Sequence, residues 1–304
     1  MMKIITFIPK TVKPKLSDLH RKIRENGLRL ETVIVIYIVS KKNGARGMAG
    51  RRVSLGYRSR GCRLVDILGV RPNLEDYPAE DLARIQNADT ILYPTLRYAQ
   101  PLEDLGKKVF PAARQYYYLG DKIRQTTLFK LEGIPMPKSR VFYGRQCRDV
   151  FEHFRFPFVA KIPKAVGEGR GVFLIESDQA WQAYLTRTRV AYIQEYIPMP
   201  RDLRVVAVAG SLVTAYWRRN PSDFRHNLSQ GGIPDFQDVP GDGIDFALDV
   251  IARCGFDDVG MDVFNHQGRW MVLEANMHYG LQGLRLAGIS LADTIDRLIR
   301  EERI

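Results

Sequence analysis

The chain has 304 residues, of which 45% are hydrophobic and 26% are charged. This composition is typical of a globular protein with two or three domains, and it excludes a low-complexity or fibrous chain. The longest apolar run, Val33–Val39, is too short to cross a bilayer, so we expect no membrane contact. The three cysteines are far apart and form no disulfide or metal-binding pattern, which indicates the reducing cytoplasm as the default location.

The net charge of +12 is concentrated near the start of the chain. No acidic residue lies between Glu31 and Asp66, and glycines are interleaved with the basic residues there. A glycine-rich basic loop is either a solvated segment or a clamp for an anionic partner, and both interpretations stay open. The basic residues of this loop are Lys41, Lys42, Arg46, Arg51, Arg52, Arg58, Arg60 and Arg63.

Strands and helices alternate in the first hundred residues. Such β-α-β alternation predicts a small, mostly parallel sheet as an N-terminal α/β domain. Gly27 is a typical helix stop and ends the first predicted helix. The predicted strands are Lys3–Ile8, Thr32–Val39, Arg63–Leu68 and Asp89–Tyr93, and the predicted helices are Leu16–Asn26 and Ala79–Asn87.

The rest of the chain segregates its strands from its helices, which predicts α+β domains. Ser177 can cap a helix that runs to about Thr186, and Gly255 can close another. Three further segments have the pattern of an antiparallel meander, namely Tyr192–Tyr196, Arg204–Val208 and Leu212–Trp217. The other predicted elements are helix Asp121–Leu131, strands Phe158–Ile162 and Gly171–Glu176, helix Asp242–Cys254 and a last helix from Leu291.

Two strands of a predicted hairpin carry acidic and amide side chains around the turn 265–268. Alternation along the second strand places Met271, Leu273 and Ala275 on one face and Val272, Glu274 and Asn276 on the other. The first strand leaves Asp262 on the polar face. Two carboxylates and an amide, with no thiol or imidazole, suit Mg²⁺ held together with substrate phosphates. The alternative is a surface hairpin with solvated acids.

A glycine-rich segment follows Lys161 and ends at Gly171. It lies between two strands, so it is neither a Walker loop nor a dinucleotide fingerprint, both of which lead into a helix. Glycines at alternate positions allow backbone N–H groups to approach phosphate oxygens. The segment is therefore either a lid over a nucleotide or a flexible hairpin tip. Its glycines are Gly167, Gly169 and Gly171.

Two later segments contain candidate binding groups. Glu195, Tyr196 and Ile197 end a strand and lead to Asp202, so this segment could meet a purine edge and a ribose, or simply end the strand. Arg218 and the residues around Asn227 could recognise a carboxylate or phosphoryl group by bidentate pairing, or could form a basic surface turn.

As an ordered set, these segments resemble the ATP-grasp enzymes, and the branch they most resemble is that of the RimK-type carboxylate–amine ligases. The resemblance covers about residues 106–290. It implies an ATP-grasp fold in which two α+β lobes sandwich ATP after an N-terminal α/β domain, with domains at 1–112, 113–196 and 197–304. The segments that carry it are Asp121-Lys-Ile-Arg, Val159-Ala-Lys, the 167–171 glycines, Gln194-Glu-Tyr-Ile, Asp202-Leu-Arg, Phe224-Arg-His-Asn with Gly231-Gly232, Gly260-Met-Asp and Glu274-Ala-Asn.

The resemblance also implies a role for each matching residue. ATP phosphates would be held by two lysines and covered by the glycine loop, adenine would meet the hinge between the lobes, and ribose would meet an aspartate. Two Mg²⁺ ions, for which Mn²⁺ could substitute, would bind at the hairpin. The implied nucleotide-binding residues are Lys122, Lys161, Gly167, Gly169, Gly171, Glu195, Tyr196, Ile197 and Asp202; the metal ligands are Asp262, Glu274 and Asn276; and the catalytic residues are Arg204, Arg218 and Asn227.

The activity implied by the resemblance is ATP-dependent ligation of a carboxylate to an amine through an acyl phosphate. An amino acid, a peptide or an acidic carrier would be the substrate, and homo-oligomers are common among similar ligases. Two alternatives remain, an ATP-grasp kinase for a small molecule and a basic binding protein regulated by nucleotide. The latter, with RNA as partner, is disfavoured because Tyr57 is the only aromatic residue within 41–63.

The segment Met277–Gly280 departs from the small residues that often follow the Glu-x-Asn motif in related ligases. Glu168 and Arg170 also stand in the glycine loop where smaller or neutral residues are common. We expect the first departure to alter the acceptor side of the metal site and the second to alter the contacts of the lid.

Overall fold

The computed structural model describes residues 51–164 and 171–304. Several predictions fall outside these residues: strands Lys3–Ile8 and Thr32–Val39, helix Leu16–Asn26, the basic loop before residue 51, and Gly167 and Gly169 of the glycine segment.

The described residues form three β-sheets and nine α-helices, joined by loops and short 3₁₀ turns. The strands are β1 (Arg52–Ser54), β2 (Asp66–Ile67), β3 (Thr90–Leu92), β4 (Lys108–Phe110), β5 (Ser139–Tyr143), β6 (Phe158–Lys161), β7 (Val172–Ile175), β8 (Val190–Glu195), β9 (Asp202–Val208), β10 (Ser211–Arg219), β11 (Ile233–Asp235), β12 (Asp258–His266) and β13 (Arg269–Asn276). The helices are α1 (Ala79–Asn87), α2 (Leu96–Asp104), α3 (Ala113–Tyr118), α4 (Lys122–Leu131), α5 (Val150–His153), α6 (Asp178–Leu185), α7 (Gly241–Cys254), α8 (Gln282–Leu286) and α9 (Leu291–Arg300).

The first sheet is parallel, with strand order β2-β1-β3-β4. It confirms the parallel arrangement predicted for this part of the chain, although the strand expected at Arg63–Leu68 is only two residues long. Val53, Ile85 and Ile91 pack in its core. Helix α2 was not predicted, because Pro101 lies inside it and reads as a helix breaker.

The second sheet is antiparallel, with strand order β5-β8-β6-β7. Helix α6 covers it and buries Trp181 and Tyr184 against Phe158. Ser177 caps this helix as predicted, because its hydroxyl accepts a hydrogen bond from the backbone N–H of Ala180 at 3.3 Å.

The third sheet is also antiparallel, with strand order β11-β10-β9-β12-β13. The predicted meander is wrong for Tyr192–Tyr196, because that strand is β8 of the second sheet and only β9 and β10 pair with each other. Pro198 and Pro200 lie between β8 and β9 and cannot donate ladder hydrogen bonds, so the chain changes sheets there. Helix α7 packs on this sheet and ends at Gly255, whose φ is 63°.

The predicted hairpin exists, but its second strand does not alternate regularly. Asp262 faces Glu274 and Val263 faces Val272, so a β-bulge at Leu273 adds one residue to β13. Val272 therefore packs in the apolar core with Ala275, whereas Leu273 turns with Glu274 towards a cleft. The expectation that Val272 shares a face with Glu274 is wrong for this reason.

Within residues 51–164 and 171–304, none of the helices has the length and apolarity that a bilayer crossing requires.

Candidate active site

A cleft lies between the second and third sheets and is lined by residues of both. One part of its wall is apolar and is formed by Val159, Val172, Met199 and Leu273. The other part carries charged groups that include Lys161, Asp202, Arg218, Asp262 and Glu274. An apolar slot beside a cluster of charges can accept a ligand with a flat aromatic part and an anionic part.

Two lysines approach Glu274 from different elements. Lys122 is the first residue of α4, and its Nζ lies 2.7 Å from Oε1 of Glu274 on β13. Lys161 ends β6 and is buried, with its ammonium group above the ring of Tyr192 at 5.9 Å from the centroid. The carboxylate and the two ammonium groups thus form a net positive cluster at the end of the cleft.

Burial and charge shift the pKa values of this cluster in different directions. Burial lowers the pKa of Lys161 to about 8. The nearby negative charge of Glu274 raises this pKa, whereas the positive charge of Lys122 lowers it further. Burial also lowers the pKa of Lys122, but its ion pair with Glu274 outweighs burial and leaves the pKa raised. For Glu274 burial raises the pKa, and the two lysines reverse that effect and lower it.

Gln125 fixes α4 against the strand that carries Glu274. Its side-chain amide donates to the carbonyl oxygen of Ala275 at 2.9 Å and accepts from the N–H of Ala275 at 3.1 Å. Because Gln125 lies three residues after Lys122, it faces the same side of the helix. This paired contact places Lys122 opposite Glu274, and no local pattern in the sequence indicates it.

Asp262 is buried, accepts hydrogen bonds from two side chains and forms an ion pair with a third. Arg204 bonds both carboxylate oxygens, with Nη2 at 3.0 Å from Oδ2. Nη2 of Arg218 lies 3.0 Å from the same oxygen, and Nδ2 of Asn276 donates to it at 2.8 Å. The two arginines and the metal ligand predicted at Asn276 therefore converge on one carboxylate.

Asp202 forms the next layer of this network. Its two oxygens accept from Nε and Nη2 of Arg218 at 2.7 and 2.9 Å, and Nδ1 of the buried His226 lies 3.5 Å away. Burial raises the pKa of Asp202, but Arg218 and His226 outweigh burial and hold it at about 2. The Asp202 carboxylate lines the cleft and is paired with Arg218 there. The contact of Asp202 with ribose stays a prediction. Sequence reasoning assigned no role to His226.

The donor set at the hairpin fits a hard divalent cation that also binds phosphates. Asp262 and Glu274 are directly opposite in the β12–β13 register, and Asn276 adds an amide oxygen. The described residues contain no cluster of three or more His, Cys, Asp or Glu side chains suited to hold a metal alone. Mg²⁺ commonly binds through one or two carboxylates and completes its shell with water and substrate phosphates, so the set suits Mg²⁺.

The remaining predicted residues within the described ranges lie at the cleft or beside it. Glu195, Tyr196, Ile197 and Asn227 line the cleft, and the Glu195 carboxylate accepts a hydrogen bond from the N–H of Lys138 at 2.6 Å. The carbonyl of Gly171 accepts from the N–H of Ile162 at 2.7 Å, which closes the base of the glycine segment.

The segment Met277–Gly280, where the sequence departs from related ligases, alternates between core and solvent. Met277 and Tyr279 are buried, and His278 between them is exposed. The segment thus turns the side chains of Met277 and Tyr279 into the protein interior and leaves the imidazole of His278 exposed.

Known proteins with similar sequences include named ligases. Residues 119–299 match the family described as RimK-like ATP-grasp domain. A ribosomal protein bS6–L-glutamate ligase of Escherichia coli O139:H28 is 29% identical over 189 residues, covering 59% of this chain and 63% of the relative. A probable alpha-L-glutamate ligase of Enterobacter sp. (strain 638) is 28% identical over 184 residues, covering 57% and 60%. The aligned part thus spans about three fifths of these relatives.

Solved structures share the fold at low sequence identity. A RimK domain protein of Sphaerobacter thermophilus superposes with a TM-score of 0.61 and 19% identity, covering 82% of this chain and 98% of that one. D-alanine–D-alanine ligase of Bacillus anthracis complexed with ATP gives 0.58 and 17%, covering 78% and 88%. These likenesses confirm the predicted ATP-grasp fold, and the family match over 119–299 assigns the chain to the RimK-like ATP-grasp family.

Proposed function

We propose that this protein is an ATP-dependent carboxylate–amine ligase that activates its carboxylate substrate as an acyl phosphate. The observation that carries the proposal is the convergence of Lys122, Lys161 and the Asp262–Glu274 pair at the end of a cleft with an apolar slot. Family membership and the names of the relatives support the same chemistry. The substrate proposed is an amino acid or a peptide.

The apolar wall would receive adenine, with the hinge residues 195–197 along its edge. Lys122 and Lys161 would then face the phosphates, where their positive charges are worth more than in bulk water because both are buried. The glycine segment 167–171 would close over the phosphates through its backbone N–H groups. Asp202 would hold ribose in this arrangement.

Asp262, Glu274 and Asn276 would hold two Mg²⁺ ions, for which Mn²⁺ can substitute. The ions, when bound, neutralise the charge that develops as a phosphoryl group is transferred. Lys122 has to release Glu274 at least in part when a metal binds there, and the phosphates provide the ammonium with a new partner. Lys122 would therefore exchange its ion pair with Glu274 for an ion pair with the phosphates.

Arg204 and Arg218 lie beside the carboxylates and would stabilise negative charge on the activated substrate. Attack of the carboxylate on the γ-phosphorus of ATP would form the acyl phosphate and release ADP. The amine would then attack the acyl carbon, and phosphate would leave with the C–O electron pair. Asn227 lines the same cleft and would orient the acyl phosphate by hydrogen bonding.

Hydroxylamine trapping tests the proposal directly. Purified protein with Mg·ATP is incubated with a panel of amino acids and peptides, and hydroxamates are detected by mass spectrometry. The expected result is a hydroxamate for at least one carboxylate, formed together with ADP and absent from the Glu274→Gln variant. Amide products in a parallel reaction without hydroxylamine would identify the amine.

A small-molecule kinase would give a different result. It would release ADP at full rate without an amine and would leave a stable phosphorylated product that hydroxylamine does not convert. That outcome, or no hydroxamate from any carboxylate of the panel, would contradict ligation.

A further inference from the structure

A second network of buried polar groups surrounds Asp258, at the start of the strand that leads to Asp262. Its carboxylate is 1% exposed and lies 2.6 Å from Nε of Arg58. The hydroxyl of Tyr93 donates to Oδ2 at 3.0 Å, and the hydroxyl of Tyr279 donates to Oδ1 at 2.7 Å. A buried carboxylate with these partners is well satisfied, and losing one of them leaves a charge that is costly to bury.

The members of this network come from distant parts of the chain. Arg58 lies in a short 3₁₀ turn after β1, and Tyr93 directly follows β3, so both come from segments that follow strands of the parallel sheet. Tyr279 lies only three residues after Asn276. The Asp258 carboxylate therefore joins the N-terminal sheet to the segment that follows the proposed metal ligand.

Tyr279 is held by more than its hydroxyl group. Nη1 of Arg58 donates to its carbonyl oxygen at 3.3 Å, and the Arg58 guanidinium lies over its ring at 4.1 Å from the centroid. A Cβ atom at Gly260 would lie 3.1 Å from Cβ of Tyr279 and 2.9 Å from Nη1 of Arg204. Tyr279 is thus packed closely on β12, next to an arginine that binds Asp262.

The register of the hairpin connects these contacts to the metal site. Gly260, on which Tyr279 packs, is the direct partner of Asn276 in the β12–β13 pairing. Asn276 in turn donates to Asp262 at 2.8 Å. Because only two residues lie between Asn276 and Tyr279, the chain has little slack, and a shift of Tyr279 is passed on to Asn276.

We propose that Arg58 is a positioning residue for the metal site: through Asp258 and Tyr279 it fixes the segment 276–280 and so holds the Asn276 amide in place for metal binding. This inference rests on the proposed nucleotide–metal site. It assigns to the N-terminal sheet a part in assembling that site.

The test measures binding and needs no substrate. Mn²⁺ affinity of the ADP-bound protein is measured by electron paramagnetic resonance, and ADP affinity is measured separately in EDTA. Arg58→Met is expected to weaken Mn²⁺ binding about tenfold, as changes to groups that orient metal ligands commonly do. Its ADP affinity in EDTA should stay within twofold of wild type.

Arg63→Met is the matched control. Arg63 lies in the same N-terminal segment and pairs with Asp293 and Asp296 of α9, away from the hairpin. If Arg58 acts through the hairpin, this control keeps wild-type Mn²⁺ affinity. An equal loss in both variants would show that any weakened contact with the C-terminal lobe has the same effect, and would overturn the inference.

Tyr279→Phe keeps the inference testable if Arg58→Met does not fold. This variant removes one hydroxyl and keeps the ring, so a smaller loss of about threefold is expected. Wild-type Mn²⁺ affinity in a folded Arg58→Met or Tyr279→Phe protein would overturn the positioning role alone. Failure of the wild-type protein to bind Mn²⁺ with ADP would instead contradict the proposed site itself.

Discussion

Replacing Lys161 with methionine is expected to stabilise the nucleotide-free protein. Burial lowers the pKa of Lys161 from 10.5 to about 8. Since one pKa unit corresponds to about 1.4 kcal/mol, the charged ammonium group costs the folded state about 3 kcal/mol at pH 7. Methionine retains an unbranched apolar side chain of similar size and removes that cost, so Lys161→Met should gain most of it.

The sign of the pKa shift fixes the pH dependence. Because the folded state has the lower pKa, the cost is fully present below pH 8 and is relieved as the pH rises towards 10.5. The advantage of the Lys161→Met variant should therefore fall from about 3 kcal/mol at pH 7 to about 1 kcal/mol at pH 9.5. The same variant should bind Mg·ADP about tenfold or more weakly, because in the proposed site Lys161 donates a charged hydrogen bond to phosphate.

Urea unfolding in EDTA at pH 7 and pH 9.5 measures the gain in stability and its dependence on pH. Lys164→Met is the control, since the Lys164 side chain is 73% exposed and such surface changes alter stability by less than about 0.5 kcal/mol. A Lys161→Met protein less stable than wild type at pH 7 would refute the reasoning. So would an advantage of equal size at both pH values, because it would arise from packing rather than charge.

Three further substitutions test two residues of the site and one close contact outside it. Glu274→Gln should lower the ligation rate more than about a hundredfold by weakening metal binding, with Mg²⁺ titration of the activity as the measurement; a near wild-type Mg²⁺ requirement would contradict the ligand assignment. Arg218→Met leaves the buried Asp202 carboxylate without its main partner and should cost about 3–5 kcal/mol in urea unfolding; a loss below about 1 kcal/mol would count against that ion pair. Gly283→Ala should cost about 1–3 kcal/mol, because a Cβ there would lie 2.2 Å from the hydroxyl of Tyr216; an unchanged melting temperature would argue against this close approach.

Local sequence signals predicted the fold where the deciding interactions are local. Helix α7 and its glycine stop followed from periodicity and capping, and so did α6 with Ser177 at its start. The placement of β8 did not, because strand pairing across sheets depends on residues far apart in the chain. The bulge at Leu273 was also missed, since an extra residue leaves the alternation of side-chain types looking regular.

In the candidate site, too, contacts within one local element could be predicted and contacts between distant segments could not. Asp262 and Glu274 are opposed within one hairpin, so their proximity could be read from the sequence. The approach of Lys122 to Glu274 depends on α4 docking on β13, and the roles implied by the family resemblance did not include a contact between these two side chains. His226 could not be assigned, because it lies in a loop far along the chain from its partner Asp202 on β9, and a lone histidine carries no pairing information.

The paired hydrogen bonds between Gln125 and Ala275 also have a consequence for solubility. β13 is an edge strand of the third sheet, and an open strand edge can recruit strands of other molecules. The Gln125 amide occupies both backbone groups of Ala275, and the carbonyl of Pro135 accepts from the N–H of Val272 at 2.9 Å. These contacts cover the strand edge on both sides of Glu274, and losing Gln125 would expose backbone groups beside Glu274 that could pair with a strand of another molecule.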